Sequence, residues 1–234
     1  MPSEPPRTLE DGLYQRDFFV NFHVTLYKYR KYGAEIVSEH NFRTRINFLR
    51  ESEQAVEAGA GADDATVKEL KEKYHAMLKG EKTDIEKYSE KLEEMMFDFF
   101  NMIKKEYYMS LDKWASESEY VTQIKEKYAK IDQEMYDEEM SLPVPETLSK
   151  EVANSLLSEK EALLQNVFQQ IRQMKVQHMM SGSTEKPPYD EEQTIFFNKS
   201  IFDDRMYIKY GYSGKDLQRA IVKHGLFDER LKQK

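Results

Sequence analysis

The sequence contains no cysteine and no long apolar run. Without cysteine it can form no disulfide, thiolate nucleophile or cysteine metal site. Its longest apolar clusters, "FFVNF" and "MMFDFF", are far shorter than the roughly 20 residues that a membrane-spanning helix needs. The start, "MPSEPPRTLEDG", lacks both the apolar core of a signal peptide and the arginine-rich, acid-poor character of a transit peptide. We therefore expect a protein that does not span a membrane.

Common catalytic and cofactor-binding motifs are also missing. The chain has no glycine-rich phosphate loop, nucleophile elbow or calcium loop. Glu72 and His75 are three residues apart, the spacing used in carboxylate-bridged di-iron bundles, but such a site needs a second pair and two further glutamates. No other histidine has a glutamate three residues before it. Solvated helix surface is the simpler interpretation, and we expect no enzymatic activity, bound metal or cofactor.

Charge is abundant and unequally divided along the chain. The 234 residues carry 35 basic and 43 acidic groups, for a net charge of −8. Residues 61–196 hold 18 basic and 29 acidic groups, whereas residues 197–234 hold nine basic and five acidic groups. A nucleic-acid-binding protein needs a clustered cationic face, which the acidic middle does not offer. The pattern favours docking to other proteins, or a tail near an anionic surface.

Hydrophobic periodicity predicts an all-α fold of elongated, long helices with coiled-coil-like seams. Apolar residues make up 39% of the chain and charged residues 33%, which suits narrow apolar stripes better than one thick core. Two seams advance mostly by steps of three and four residues, as coiled coils do. Their members are Ile85, Tyr88, Leu92, Met95, Phe99 and Met102, and then Leu148, Val152, Leu156, Leu163, Val167, Ile171 and Met174.

Breaks in the pattern divide the chain into three successive segments. "AGAGADD" at 58–64 and "SGSTEKPP" at 181–188 are the clearest breaks. We predict an N-terminal helical segment over 1–60, a long-helix coiled-coil region over 61–180, and a linker with an extended, irregular C-terminal tail over 181–234. That tail is expected to end in one short helix near residues 216–224. Gly33 is expected to bend or break the first helix, since glycine costs about 1 kcal/mol in a helix interior.

Two prolines interrupt the helical pattern within "MSLPVPETLSKEV", residues 140–152. Proline lacks a backbone donor and pushes the preceding residue out of helical geometry. Pro143 and Pro145 therefore predict a short, stiff connector between two helices, with Thr147 or Ser149 capping the second helix. The single tryptophan, Trp114, is expected to be a packing anchor.

Three features, in this order, resemble the d subunit of the mitochondrial ATP synthase, a helical component of its peripheral stalk. They are an acidic helix with an aromatic start, "WASESEYVTQIKEKYAKIDQEMYDEE", then the connector "LPVPET", and then "PPYDEEQTI". The resemblance covers residues 114–196, whereas the first 110 residues are longer than the usual N-terminal part of the family. The residues that carry it are Trp114, Ile131, Asp132, Glu134, Tyr136, Pro143, Pro145, Pro188, Tyr189, Asp190, Thr194 and Ile195.

The resemblance implies a mechanical role without chemistry. The peripheral stalk holds the catalytic head against rotor torque while proton transport drives ATP synthesis. Partners would be other stalk and catalytic-head subunits, on the matrix side of the mitochondrial inner membrane, and both predicted seams would pack against stalk helices. The residues by themselves equally allow a helical scaffold or adaptor of another multiprotein assembly, including a cytoplasmic one. A carboxylate-metal helical-bundle enzyme is the less favoured alternative.

Overall fold

A computed structural model describes residues 15–57, 64–101, 104–181 and 190–227. Within these ranges it contains seven helices and no strand, which confirms the all-α prediction. None of these helices combines the length and the apolar composition needed to cross a membrane. The helices are α1 (Arg16–Glu57), α2 (Asp64–Asn101), α3 (Lys104–Ala115), α4 (Ser118–Ser141), α5 (Lys150–Met180), α6 (Glu191–Tyr210) and α7 (Gly214–Lys223).

The two longest helices each continue through a glycine. α1 has 42 residues and passes Gly33, and α2 has 38 residues and passes Gly80. The expected helix break at Gly33 is therefore wrong. A Cβ added at Gly33 would overlap the Tyr88 ring, so the missing side chain is what allows this ring to lie against α1. A Cβ added at Gly80 would meet nothing within 4 Å.

Contacts divide the chain into two units, and each unit draws on separate parts of the sequence. Unit 1 comprises Met1–Asn41 and Lys79–Glu138, and unit 2 comprises Phe42–Leu78 and Glu139–Lys234. These units differ from the predicted segments 1–60, 61–180 and 181–234. The reason is that α1, α2 and α4 each contribute residues to both units, whereas the prediction placed its boundaries at breaks between helices.

Unit 2 is built around an apolar core formed by α5, α6, α7 and the segments next to them. Val144, Val152 and Phe202 are half-buried against this core. Full burial of one large aliphatic side chain contributes about 1.5–3 kcal/mol, so the cluster is the main source of stability for these three helices. Its buried members are Leu148, Ala153, Leu156, Leu157, Met206, Tyr212, Leu217, Ala220, Ile221 and Leu226.

The proline connector is confirmed, and it is packed as well as stiff. α4 ends at Ser141 and α5 begins at Lys150, so both prolines lie between helices. The Leu148 N–H donates to the Pro145 carbonyl over 2.9 Å, which closes a turn. Ser149 is the N-cap of α5, where its side chain accepts a hydrogen bond from the Val152 N–H. Because Leu148 is buried in the core, the connector holds α5 in place through apolar contact too.

The predicted irregular, extended C-terminal tail is wrong for residues 191–210, which form α6, whereas the short helix expected near residues 216–224 is confirmed as α7. Gly211 ends α6 in the left-handed conformation, with φ of 76°. Ser213 and Asp216 then form a capping box at the start of α7. The periodicity of α6 does not indicate its buried side clearly, because one of its two buried residues is a carboxylate, Asp204, and the other is the apolar Met206.

Unit 1 has a small aromatic core. Phe19, Val20 and Tyr120 are buried in it, and the rings of Phe18 and Phe19 meet edge to face with centroids 5.1 Å apart. Trp114 packs against this cluster half-buried, which confirms its prediction as a packing anchor. The other half-buried members are Phe18, Val24, Leu111 and Ile124.

Candidate partner-binding surface

The second predicted seam is mostly buried by the chain itself. Leu148 and Leu156 are 1% and 3% exposed within the core of unit 2, and Val152 is half-buried against it. The prediction that these three side chains pack against a separate stalk helix is therefore wrong, because α6 and α7 form where a loose tail was expected. Val167 and Ile171 are also buried, whereas Leu163 and Met174 are half-buried.

The first predicted seam, on α2, is more open. Ile85, Tyr88 and Leu92 are half-buried, and Met95 is 69% exposed. Tyr88 packs against Gly33 of α1 and donates its hydroxyl to the Tyr29 carbonyl over 3.2 Å. The side chains of Phe99 and Met102 lie outside the described part of the structure. A partner contact by this seam stays a prediction.

A different set of apolar side chains on α5 is exposed. Phe168 is 51% exposed, Val176 44%, Met179 70% and Met180 82%. Phe168 and Met179 are 11 residues apart, which is close to three helical turns, so both lie on one side of α5. We refer to these four side chains as the α5 apolar surface. Sequence periodicity did not reveal it, because these residues are offset from the buried positions Val167 and Ile171.

Ion pairs place α6 antiparallel to α5 beside this surface. The Lys160 Nζ lies 2.6 Å from the Asp203 Oδ1, and the Lys175 Nζ lies 2.5 Å from the Glu191 Oε1. Interpolation between these two pairs puts Phe196 of α6 level with Phe168 of α5. Phe196 is also 36% exposed. At this position along the two helices, α6 therefore exposes an apolar side chain as α5 does.

The charge around the α5 apolar surface differs from the charge of the chain as a whole. Residues 162–180 contain no acidic side chain, and their charged or titratable members are Arg172, Lys175 and His178. Five glutamines and an asparagine fill the other polar positions of the segment. Glu161 directly precedes this segment in the sequence, and Glu191 at the start of α6 pairs with Lys175. This side of α5 therefore suits an acidic amphipathic helix as its partner.

Unit 2 also contains a buried group of polar side chains from three helices. Arg45 of α1 donates to both carboxylate oxygens of Asp204 on α6, over 2.8 and 3.2 Å. Tyr74 of α2 donates its hydroxyl to the same carboxylate over 2.7 Å. Asp204 is 0% exposed and Arg45 4%. Burial, and secondly the Asp204 charge, strongly raise the pKa of Tyr74, so this hydroxyl remains a donor.

Asp203, the neighbour of Asp204, has separate partners. Besides its ion pair with Lys160, its carboxylate lies against the start of α7, where a Cβ on Gly214 would come within 2.8 Å of the Oδ2. Burial raises the pKa of Asp203, and the nearby positive charge of Lys160 opposes that effect. The two adjacent carboxylates thus connect α6 to different helices, Asp203 to α5 and α7, and Asp204 to α1 and α2.

Polar contacts join the helices of unit 1. The rings of Tyr27 and Tyr128 stack with centroids 3.9 Å apart, and Tyr27 donates its hydroxyl to Asp132 over 2.8 Å. Lys31 lies 3.0 Å from the same carboxylate. The hydrogen bonds from Lys31, and then from Tyr27, lower the pKa of Asp132. Arg30 forms a further ion pair with Glu93.

His23 is the half-buried titratable group of the aromatic core in unit 1. Its ring lies edge-on to Tyr120, with centroids 6.5 Å apart, and Phe22 lies edge-on to it at 5.2 Å. Burial lowers the pKa of His23, and the charge of Arg30 lowers it further. In the described part of the chain, the buried Nε2 atom has no hydrogen-bond partner. Histidine acts here as an aromatic packing residue that favours its neutral form.

The predicted metal-site pair lies on open surface. Glu72 and His75 are both exposed on α2. Within residues 15–57, 64–101, 104–181 and 190–227, no group of three or more His, Cys, Asp or Glu side chains could hold a metal ion. Ligands of a di-iron bundle project into its core, whereas these two side chains face solvent.

Two of the three motifs that carry the family resemblance lie at the starts of helices, and the first begins at Trp114 near the end of α3. Pro143 is exposed and Pro145 half-buried in the connector before α5, and Asp190 is the N-cap of α6. The Asp190 side chain accepts from the Gln193 N–H over 3.0 Å. Pro188 and Tyr189 lie outside the described residues. No protein-family model, curated protein or solved structure matches this chain.

Proposed function

We propose that the chain is a non-catalytic structural subunit that binds a helix of another subunit through the α5 apolar surface. The observation that carries this proposal is the exposure of Phe168, Val176, Met179 and Met180 on a helix whose other side is buried. Clusters of exposed large apolar side chains mark interaction sites, since water contact with them is unfavourable. An amphipathic partner helix would cover them with residues spaced by three and four.

We further propose that the complex is the mitochondrial ATP synthase and that the chain is a peripheral-stalk subunit similar to subunit d. The order of the three motifs supports this assignment. So does the local structure, because Ser149 caps the 31-residue α5 two residues after "LPVPET", and Asp190 caps α6 within "PPYDEEQTI". In this role the subunit helps to hold the catalytic head against rotor torque, on the matrix side of the inner membrane.

A stator subunit must transmit force without large bending. The connector before α5 is suited to that task, because the core holds it through Leu148 and Val144. Proline adds backbone stiffness at the same place. A rigid joint between α4 and α5 is the mechanical contribution that we assign to "LPVPET".

A helical scaffold of another assembly is the alternative, and it would use the same α5 surface with different partners. The carboxylate-metal enzyme gains no support, since Glu72 and His75 are exposed. The partner set therefore discriminates between the two structural proposals.

The test is purification of the tagged chain from its own source in mild detergent, followed by mass spectrometry of the bound proteins. Catalytic-head and stalk subunits are expected in one large membrane complex. A reproducible set of unrelated subunits would replace the ATP synthase assignment with the scaffold alternative. Recovery of the chain alone would overturn both.

A surface variant links this result to α5. The double variant Phe168→Ser/Met179→Ser should lose the partners, because it removes exposed apolar side chains from a surface that the core does not need. The control Gln169→Ser/Gln173→Ser changes exposed polar residues of the same helix and should keep them. Retention of all partners by the first variant would show that α5 is not the binding surface.

A further inference from the structure

Two helical segments of unit 2 lie outside its main apolar core. They are residues 42–57 of α1 and residues 64–78 of α2, which we call the 42–78 arm. Among the described residues, every member of the α5–α7 core cluster comes from positions 144–226. The bundle of α5, α6 and α7 thus has a complete core without side chains from the arm.

One carboxylate makes the principal polar contact between the arm and α6. Asp204 accepts two hydrogen bonds from Arg45 and one from Tyr74, over 2.7 to 3.2 Å. Arg45 and Tyr74 lie on different helices, so Asp204 joins both helices of the arm to α6 at one point. The carboxylate is 0% exposed, and water cannot replace these donors while the contact is closed.

Contacts with Tyr207, about one turn further along α6, complete the attachment. The Phe42 ring meets the Tyr207 ring edge to face, with centroids 5.2 Å apart. The Arg50 guanidinium lies 5.6 Å from the centroid of the same ring. Such aromatic and cation–π contacts are individually modest. Ile46 and Leu78 are buried as well, which gives the arm some apolar burial of its own.

The energetics of this joint differ from those of the α5–α7 core. Removing two charges from water is costly, and their mutual attraction offsets much of that cost only while the geometry is intact. Apolar contacts in the α5–α7 core carry no such desolvation cost and depend less on the exact positions of single atoms. A contact that depends on one charged group and a few smaller contacts therefore opens at lower free energy than a core of ten buried side chains.

We propose that the 42–78 arm is a detachable element that opens from α6 while α5, α6 and α7 stay folded, and that Asp204 is the latch that sets this opening. The arm then acts as a local conformational unit within unit 2. The inference is independent of the identity of the partner subunits, because it concerns contacts within the chain.

Hydrogen exchange of the full-length chain, measured by mass spectrometry, tests the latch. Asp204→Asn removes the charge and leaves the Arg45 guanidinium buried without this carboxylate. We expect exchange in residues 42–57 and 64–78 to accelerate at least about tenfold, with α5 and α7 changed by less than about twofold. Unchanged exchange in the arm would overturn the proposal, and so would equal acceleration in all helices of unit 2.

The adjacent residue supplies a matched control. Asp203→Asn also neutralises a carboxylate on α6, but its partners are Lys160 on α5 and the start of α7. We expect this variant to accelerate exchange in α5 and α7 more than in the arm. The same exchange pattern in both variants would contradict a specific role of Asp204.

A milder variant keeps the test decisive if Asp204→Asn does not fold. Tyr74→Phe removes one of the hydrogen bonds and leaves the Arg45–Asp204 pair in place. We expect exchange in residues 64–78 to rise about threefold to tenfold, in keeping with the loss of one hydrogen bond to a charged group. Acceleration throughout α5–α7 in this variant would show one cooperative unit and no latch.

Discussion

Unit 1 and unit 2 are both built from α-helices, but different types of side-chain contact stabilise the two units. In unit 2, ten buried side chains form one apolar cluster around α5, α6 and α7. In unit 1, three buried side chains form the cluster, and exposed or half-exposed polar contacts such as Lys31–Asp132 and Arg30–Glu93 join the helices. Stability in unit 2 should therefore depend on burial, whereas unit 1 should respond more to local fit, pH and salt.

The largest effect is expected from the core of unit 2. Leu217 of α7 is 1% exposed, and Leu217→Ala should lower the free energy of unfolding by about 3 kcal/mol, through lost burial and the remaining cavity. Val222 of the same helix is 46% exposed, and Val222→Ala should change stability by less than about 0.5 kcal/mol. Urea denaturation followed by circular dichroism measures both. Similar values for the two variants would contradict the described core.

Local fit in unit 1 is tested by two glycines that both lie inside helices. Alanine normally stabilises such a position by about 1 kcal/mol, and Gly80→Ala should do so because its Cβ enters open space. Gly33→Ala should instead destabilise by about 1 kcal/mol, since the Cβ displaces the Tyr88 ring and its hydrogen bond to Tyr29. Thermal unfolding gives the signs. Stabilisation by both substitutions would mean that the Tyr88 contact is absent.

The pH response of unit 1 should follow His23. Its pKa in the folded chain lies below the ordinary value of 6.5, so the unfolded chain binds more protons near that pH. The contribution of His23 to stability is therefore present above pH 6.5 and is lost as pH falls through the lowered pKa. Urea midpoints at about pH 7.5 and about pH 5.5 should differ less in His23→Gln than in the unaltered chain.

His75 is the control for that pH experiment. It is exposed on α2, so His75→Gln should leave the pH response of the unaltered chain in place. If His75→Gln and His23→Gln reduce the response equally, burial of His23 is not its cause.

The smallest effect is expected from a surface ion pair of unit 1. Asp132→Asn weakens the ion pair between Asp132 and Lys31. Because both side chains are about half exposed, the substitution should lower the free energy of unfolding by about 0.5 kcal/mol at low salt. At about 1 M salt the difference should nearly vanish through screening. Urea midpoints at both salt concentrations measure this. A difference that persists undiminished at high salt would assign the effect to the Tyr27 hydrogen bond instead.

Features that depend on neighbouring residues could be predicted from the sequence. The two prolines predicted the connector because proline acts on its own backbone and on the residue before it. Ser149 was one of two predicted caps, since a cap needs only a side-chain oxygen and the next few N–H groups. Trp114 was predicted as a packing anchor for a similar reason, because a large ring is usually buried at least in part.

Features that depend on distant residues could not be predicted in the same way. Arg45 and Asp204 are 159 residues apart, and the sequence around neither residue indicates that they form an ion pair. Glycine at position 33 lowers the intrinsic stability of the helix, which the sequence shows. Glycine is nevertheless needed there because the Tyr88 ring, distant in sequence, occupies the space of a Cβ. The α5 apolar surface was not predicted because the predicted seam consists of positions that the rest of unit 2 buries, and α6 was expected to be part of an irregular tail.

The central claim is that α5 binds another subunit, and photo-crosslinking within the native complex tests it most directly. A photoreactive residue is placed at Met179, on the α5 apolar surface, or at Asn154, an exposed position of α5 away from it. We predict a covalent link from position 179 to one subunit of the complex, with little from position 154. Equal yields from both positions, or no link from 179 in a complex that is otherwise recovered, would contradict the claim.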